Sequence, residues 1–239
     1  MKCSTLKTKG FKFKQFSIEG GRSGMPVSTD GILLGAWSNL DLMNTCLDIG
    51  TGTGLLSLMA AQRHNTLAIT AIDIDRHAIE SAQHNFRQSP WDDRLQLIEG
   101  DILKAPMTAL FDGIICNPPY FNSGEQSHHT QRAIARHTDT LDHHALLERS
   151  YALTTPLGTA NFILPIYEGH QLIAKAKPLN WHVTRLCYVK TTEQKTASRL
   201  LIEISKMKTE LEETHLVIHQ DGQYSKEFHS LTENFYLKM

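Results

Sequence analysis

The sequence predicts an α/β protein built on a doubly wound, mostly parallel sheet with helices on both faces, and three observations predict it. Short apolar runs alternate with amphipathic stretches of helical period between residues 45 and 176. Four of those runs end in polar or glycine-rich turns: Asp48-Ile-Gly-Thr-Gly-Thr-Gly54, Asp73, Glu99-Gly-Asp101 and Asn117-Pro-Pro-Tyr120. Those turns fall where such a sheet opens its binding crevice, outside the carboxyl ends of the strands.

Composition sets the bounds. The 239 residues, 41% hydrophobic and 21% charged, suffice for one large domain with a full core, expected to span 1–239 with residues 1–24 as a basic, aromatic arm. A formal net charge of -1 excludes a uniformly basic nucleic-acid binder but leaves room for a local patch. Cys3, Cys46, Cys116 and Cys187 lie far apart, and two fall in expected buried strands, so neither a disulfide framework nor a zinc site is indicated. With no signal peptide and no apolar run near the ~18 residues of a membrane span, a cytoplasmic location without membrane contact is expected.

In the arm, residues 1–22 hold six Lys or Arg against one acid, Glu19, and Phe11-Lys12-Phe13-Lys14-Gln15-Phe16 alternates as a strand does. Two readings stand. The phenylalanines pack as an edge strand whose lysines are merely solvated, or Lys12 and Lys14 contact the phosphates of a polyanion beside the cleft. Next, Ser28, Thr29 or Asp30 can cap a helix carrying Ile32, Leu33 and Trp37, whose polar N-terminus, Thr29 included, could border a cofactor.

The run through Cys46, Leu47 and Ile49 leads into Gly50, Gly52 and Gly54 and then a helix over 55–62. Glycines at that turn permit positive φ and close approach of backbone to ligand, and the helix N-terminus favours a carboxylate or phosphate. Asp73 follows about 20 residues later, where an acid accepts from ribose hydroxyls. A helix over 76–87 buries Ile79, Ala82 and Phe86. After the strand 95–98, Asp101 either accepts from an adenine amino group or caps its turn.

Asn117-Pro118-Pro119-Tyr120 ends the apolar run 111–116. Its chemistry suits alkylation of a planar amino nitrogen, whose lone pair is delocalised. The Asn117 side-chain oxygen and the Pro118 carbonyl can accept that nitrogen's hydrogens and bias it toward a tetrahedral shape, while Tyr120 offers a face for stacking. The prolines donate no N–H and stiffen the turn. The plainer alternative is a loop-starting Asn-Pro turn.

The segment 121–142 is polar and locally basic, with Arg132, Arg136 and His137 as candidate phosphate contacts. Thirteen histidines include a crowd at 128, 129, 137, 143 and 144, whose spacing matches no metal motif; surface or RNA-facing histidines are expected, and no metal. A helix over 143–153, a strand over 160–164 and a helix over 169–176 follow. Apolar alternation at 182–190 and 199–206 reads as a hairpin, with a short strand at 215–219 beyond it. The aromatic tail, Tyr224, Phe228, Phe235 and Tyr236, suggests packing.

Together these motifs resemble the class I S-adenosylmethionine-dependent methyltransferases, in the amino-methylating group with Asn-Pro-Pro-Tyr. The segments 11–16, 28–37, 117–121 and 135–137 narrow the resemblance to bacterial adenine-N6 methyltransferases that act beside the anticodon of tRNA(Val). The resemblance implies a seven-stranded sheet with its last strand antiparallel. It implies S-adenosylmethionine as cofactor and S-adenosylhomocysteine as product. The loop of Asp48, Gly50, Gly52 and Gly54 would hold the methionine part, with Asp73 on the ribose and Asp101 on the adenine. It also implies Asn117, Pro118 and Tyr120 around the target base, Phe121 beside them, and a tRNA anticodon loop as partner with no obligate protein partner. Three alternatives remain. A protein-glutamine N5 methyltransferase acting on release factors poses the same lone-pair problem but needs no basic arm. Another rRNA or DNA N6-adenine methyltransferase is the second, although a DNA enzyme usually needs a further recognition domain. A dehydrogenase or non-catalytic nucleotide-binding module would leave Asn-Pro-Pro-Tyr unexplained.

Overall fold

A computed structural model describes residues 9–21, 26–41, 43–119 and 141–238. The short strands β1 (Phe11–Lys12) and β2 (Ser17–Ile18) form a hairpin of their own. Then come α1 (Thr29–Trp37), β3 (Thr45–Ile49), α2 (Leu55–Arg63), β4 (Ala68–Asp73), α3 (Arg76–Arg87), β5 (Leu95–Glu99) and β6 (Phe111–Cys116). The second half holds α4 (His143–Leu153), β7 (Thr154–Pro165), α5 (Ile166–Ala176), β8 (His182–Thr192), β9 (Arg199–Ser205), β10 (Glu212–Gln220), β11 (Gln223–Tyr224) and α6 (Lys226–Thr232).

The main sheet runs β11-β10-β8-β9-β7-β6-β3-β4-β5. The seven strands that the resemblance implies are present, from β5 to β8, and β9 is antiparallel to both of its neighbours. The antiparallel strand therefore sits between β7 and β8, and β10 and β11 extend the sheet to nine strands. β10 pairs in parallel with β8, which puts its carboxyl end on the same rim as those of β3 to β7.

Strand alternation sorts the core onto two faces. Leu47 and Ile49, Ile114 and Cys116, and Phe162 and Leu164 face α4 and α5 through Leu146, Leu147 and Leu172. Cys46, Ile115, Ile163 and Leu201 face the other way, against Leu33 and Leu34 of α1, Leu56 and Ala60 of α2, and Phe228 of α6. The thiols of Cys46, Cys116 and Cys187 are free and pushed upward by burial, so they behave as small core side chains. On α3 the buried stripe is Ala78, Ser81, Ala82, Asn85 and Phe86, so Ile79, expected inside, lies beside it.

Two other expectations are refined. The Phe-Lys run packs its phenylalanines on the domain as one reading had it, but its strand, Phe11–Lys12, is short and belongs to a separate two-stranded hairpin. Phe13 and Phe16 are buried against α2, α3 and the chain's end, and Lys14 Nζ donates to the Glu233 carbonyl (2.6 Å). β7 begins six residues before the expected 160, because Thr154 pairs with Phe111 ahead of an irregularity that carries Pro156 and Gly158.

The β8–β9–β10 end is tied by Arg185. Its guanidinium reaches Glu203 at 3.2 Å and Glu212 at 3.5 Å and lies 4.3 Å from the Trp37 ring centre. Glu203 is buried, with Thr184 Oγ1 donating to it at 2.8 Å, so loss of the guanidinium would strand a carboxylate in the core. Arg185→Ala is expected to cost about 3 kcal/mol of unfolding free energy in urea denaturation. A cost under about 0.5 kcal/mol, the range of ordinary surface substitutions, would mean that Glu203 is adequately solvated without it.

Candidate active site

The chain leaves β3 through α2 toward β4 and β5, but leaves β6 in the opposite direction, toward β7. β3 and β6 are neighbours and parallel, with Ile49 opposite Cys116. Their carboxyl ends therefore flank the crevice at the sheet's switch point. The residues immediately beyond them are Gly50 on one side and Asn117 on the other.

The glycine loop is fastened from below. Gly50 and Thr51 both donate to the Ile72 carbonyl (2.8 and 3.1 Å), and Gly52 N–H donates to Asp73 Oδ2 at 2.8 Å. Gly50, Gly52 and Gly54 all have positive φ, at 71°, 58° and 85°. At Gly54 a side chain would also require the Phe86 ring to shift, since a Cβ would lie 2.5 Å from it. At Gly50 and Gly52 a Cβ would meet nothing within 4 Å, so the backbone there borders open space. Under the loop, Asp48 is fully buried. Its Oδ2 accepts from Thr51 Oγ1 (2.7 Å), Ser57 Oγ (2.6 Å) and Ser57 N–H (3.1 Å), while its Oδ1 has no partner. Burial dominates and pushes the carboxyl from 3.8 to about 6, against the lowering effect of those donors.

Asp73 closes β4. Its Oδ1 takes the Asp75 N–H (2.9 Å) and its Oδ2 the Gly52 N–H, and burial raises its carboxyl. Each oxygen keeps a second lone pair for an incoming hydroxyl. Asp101 realises the turn-capping alternative: Oδ1 accepts from Leu103 N–H (3.0 Å) and Oδ2 pairs with Lys104 (3.1 Å). Its loop is held by Arg149 of α4, which donates to the carbonyls of Ile102, Ala105 and Met107. Thr29 is the exposed first residue of α1, whose cap is Ser28. The start of α1 stands against the start of α2, for a Cβ on Gly31 would lie 2.9 Å from Leu55.

At the end of β6, Pro118 is buried, and Asn117 Oδ1 is buried with no hydrogen-bond partner. An unpaired buried oxygen costs about 1–3 kcal/mol, and this one, immediately beyond β6 at the switch point, keeps its acceptor capacity free. Tyr120, Phe121, Arg132, Arg136 and His137 lie outside the described residues. Lys12 is exposed on the hairpin, and Lys14 is engaged with Glu233.

Sequence reasoning missed Asn85. Its side chain accepts from Glu19 N–H (2.9 Å) and donates to the carbonyls of Thr53 (2.8 Å) and Glu19 (3.2 Å), clamping the N-terminal hairpin to the glycine loop. The signal was available, because Asn85 sits three residues after Ala82 in the apolar stripe of α3. Ser57 and Arg149, on helices, and Thr51, in the glycine loop, were also missed, and a polar residue says little until its partner is known.

Open space along Gly50 and Gly52 and a carboxylate at the next strand end fit S-adenosylmethionine, with its flexible polar tail and ribose. Solved structures place the fold among the class I Rossmann-like methyltransferases. A predicted O-methyltransferase from Agrobacterium tumefaciens superposes with a TM-score of 0.69 at 16% identity, covering 86% of this chain and 96% of that one. The glycopeptide N-methyltransferase MtfA complexed with (S)-adenosyl-L-methionine gives 0.56 at 13% identity, covering 76% and 100%. The methyltransferase small domain model matches residues 31–147. Over the full 239 residues of both chains, the sequence is 59% identical to the tRNA1(Val) (adenine(37)-N6)-methyltransferase of Vibrio vulnificus (strain CMCP6). It is 53% identical to the protein of the same description from Aliivibrio salmonicida, covering 97% of this chain and 99% of that one. The chain belongs to this family of methyltransferases. Among the described residues, no helix is long and apolar enough to cross a membrane, and no group of three or more metal-ligating side chains occurs.

The raised Asp48 carboxyl has a definite consequence for stability. The folded state holds its proton more tightly than the unfolded chain does. The stabilisation from that proton is fully present below the unfolded value near 3.8 and lost as pH rises through about 6. Asp73 is shifted in the same direction. Urea titrations between pH 4 and 6.5 should therefore show a downward component in stability that Asp48→Asn removes. An unchanged pH slope in the variant would place the titration elsewhere.

Proposed function

We propose that this protein methylates the exocyclic N6 of adenine 37 in tRNA(Val), with S-adenosylmethionine as the methyl donor, in the cytoplasm. The observation that carries this reading is the buried, unpaired Asn117 Oδ1 beside the glycine loop, on a chain whose full-length relatives bear that description. S-adenosylmethionine supplies an electrophilic methyl on a sulfonium and leaves as S-adenosylhomocysteine.

The chain's own groups do the positioning. Backbone along Gly50 and Gly52 lies against the methionine part, and the helix end behind Gly54 favours its carboxylate. Asp73 accepts from the ribose hydroxyls with its free lone pairs. Asp101, besides capping its turn, keeps a further lone pair on each oxygen with which to accept from the adenine amino group, while Arg149 keeps its loop in place. Across the switch point, Asn117 Oδ1 and the Pro118 carbonyl accept the two N6 hydrogens, which turns the nitrogen lone pair out of the ring plane and toward the methyl. Tyr120 and Phe121 stack on the extruded base. An anticodon-loop base is already unpaired, so leaving the stack costs only a few kcal/mol. Neither Asn117 nor Pro118 is a base. The methylated nitrogen becomes acidic and releases its proton to water. Lys12, Lys14, Arg132, Arg136 and His137 contact the RNA backbone, an assignment supported by residue type and the basic character of the arm and loop.

Two substitutions separate these roles. Asn117→Ala is expected to lower transfer at least about 10²-fold, the usual cost of losing one preorganised polar contact to the reacting group. The S-adenosylmethionine dissociation constant, measured by calorimetry, should stay as in the wild type. Equal loss of binding and transfer would remove Asn117 from the amine. Asp73→Ala is expected to weaken S-adenosylmethionine binding in the same assay, and an unchanged dissociation constant would refute its ribose role.

A further inference from the structure

The aromatic tail does more than pack. Phe228 and Phe235 are buried, but Tyr224 is 40% exposed and Tyr236 half-buried. The Tyr224 ring is held flat by its neighbours. It stacks on His219 (centroids 5.0 Å apart, planes 27° apart) and rests against Phe228 at 4.8 Å. Tyr236 runs nearly parallel to it, at 21° and 6.3 Å. These rings line one side of an open cavity of about 540 Å3. Arg199 and the start of α1, at Ser28 and Thr29, line it too.

This cavity is not the glycine-loop crevice, yet it opens on the same rim. Arg199 begins β9 opposite Pro165, the last residue of β7, and His219 of β10 lies opposite Thr192, the last residue of β8. β7 in turn neighbours β6, which Asn117 follows directly. With strands about 4.8 Å apart, the cavity spans roughly 10 to 19 Å along the rim from Asn117. A stacked single strand rising about 3.4 Å per nucleotide covers that distance in roughly three to six nucleotides, the reach of one RNA loop. The start of α1 links the two sites, since it also abuts the start of α2 behind the glycine loop.

The lining favours a base over a phosphate. Arg199 is paired with Asp30 at 2.8 Å, so its charge is already matched, while the 40% exposed Tyr224 side chain offers aromatic surface that any base can use. Cations stand just outside: Phe11 and Phe13 touch the Tyr236 ring, so the hairpin carrying Lys12 and Lys14 abuts the same wall. We propose that this cavity is a second base-binding subsite, in which an unpaired nucleobase of the RNA loop that carries the target adenine stacks on Tyr224. The proposal rests on the tRNA reading above and adds a specificity site to it.

Steady-state methylation of tRNA(Val) by wild type, Tyr224→Ala and Tyr224→Phe tests it, with S-adenosylmethionine binding by calorimetry as the control. Tyr224→Ala should raise KM for tRNA about 5- to 100-fold, the range of one lost base-aromatic stack. Tyr224→Phe should restore the wild-type KM, and cofactor affinity should not move in either. A tRNA(Val) anticodon stem-loop carrying 5-bromouridine at one loop position at a time should photocrosslink to the peptide containing His219 and Tyr224 at one of them. Wild-type KM in Tyr224→Ala, or crosslinks from every position that avoid this peptide, would overturn the subsite while leaving the tRNA reading intact. A wild-type protein that transfers no methyl to tRNA would overturn both.

Discussion

Everything at this site depends on the parallel pairing of β3 with β6. Residues 49 and 116 are distant in sequence, yet their opposition in the sheet sets the glycine loop and Asn117 on either side of one crevice. The four strands of this half run in the order β6-β3-β4-β5. The chain therefore leaves β3 and β6 in opposite directions across the sheet, which opens a crevice between their carboxyl ends. In the proposed function a cofactor held from the β3 side and an amine held from the β6 side meet there without either substrate displacing the other. Proximity of this kind is the larger part of what a methyl transfer between two bound molecules requires.

The pairing is maintained at a cost placed directly beneath the loop. A carboxyl raised to about 6 means that Asp48 is ionised at neutral pH against a penalty of order 3 kcal/mol. Three donors from Thr51 and Ser57 offset much of its desolvation and in return fix the loop to the first turn of α2. Asn117 is a second local expense, an oxygen buried without a partner. Both lie within the crevice-lining segments, and the sheet that carries them has an apolar cluster on each face. Local destabilisation at a site carried by a well-packed frame is the expected signature of preorganisation.

Much of this was legible in the sequence because the relevant signals are local. The helices at 76–87 and 143–153 and the strand at 111–116 begin and end where apolar period, caps and turn residues place them. The four crevice turns were legible for the same reason: each is a short motif following a strand. What escaped depends on long-range partners. The Phe-Lys alternation has a strand's period, but its phenylalanines are claimed by α2, α3 and the chain's end, so a small hairpin forms instead. Pro156 and Gly158 look like a turn, and only pairing with β6 draws Thr154 into β7. Asn85 and Arg149 act on backbone atoms 32 and 47 residues away, at Thr53 and Ile102. The tail's Tyr224 could not be told from its buried neighbours by composition, because its exposure is decided by β10 and β11.

The most direct test of the central claim is to identify the methylated atom. Purified protein would be incubated with radiolabelled S-adenosylmethionine and, separately, total tRNA, rRNA, duplex DNA and release factor, and the labelled product digested to nucleosides or amino acids. Label confined to N6-methyladenosine at position 37 of a valine tRNA is the predicted result. Label in glutamine, or none in any RNA despite measurable cofactor binding, would contradict it and leave only the methyltransferase fold standing.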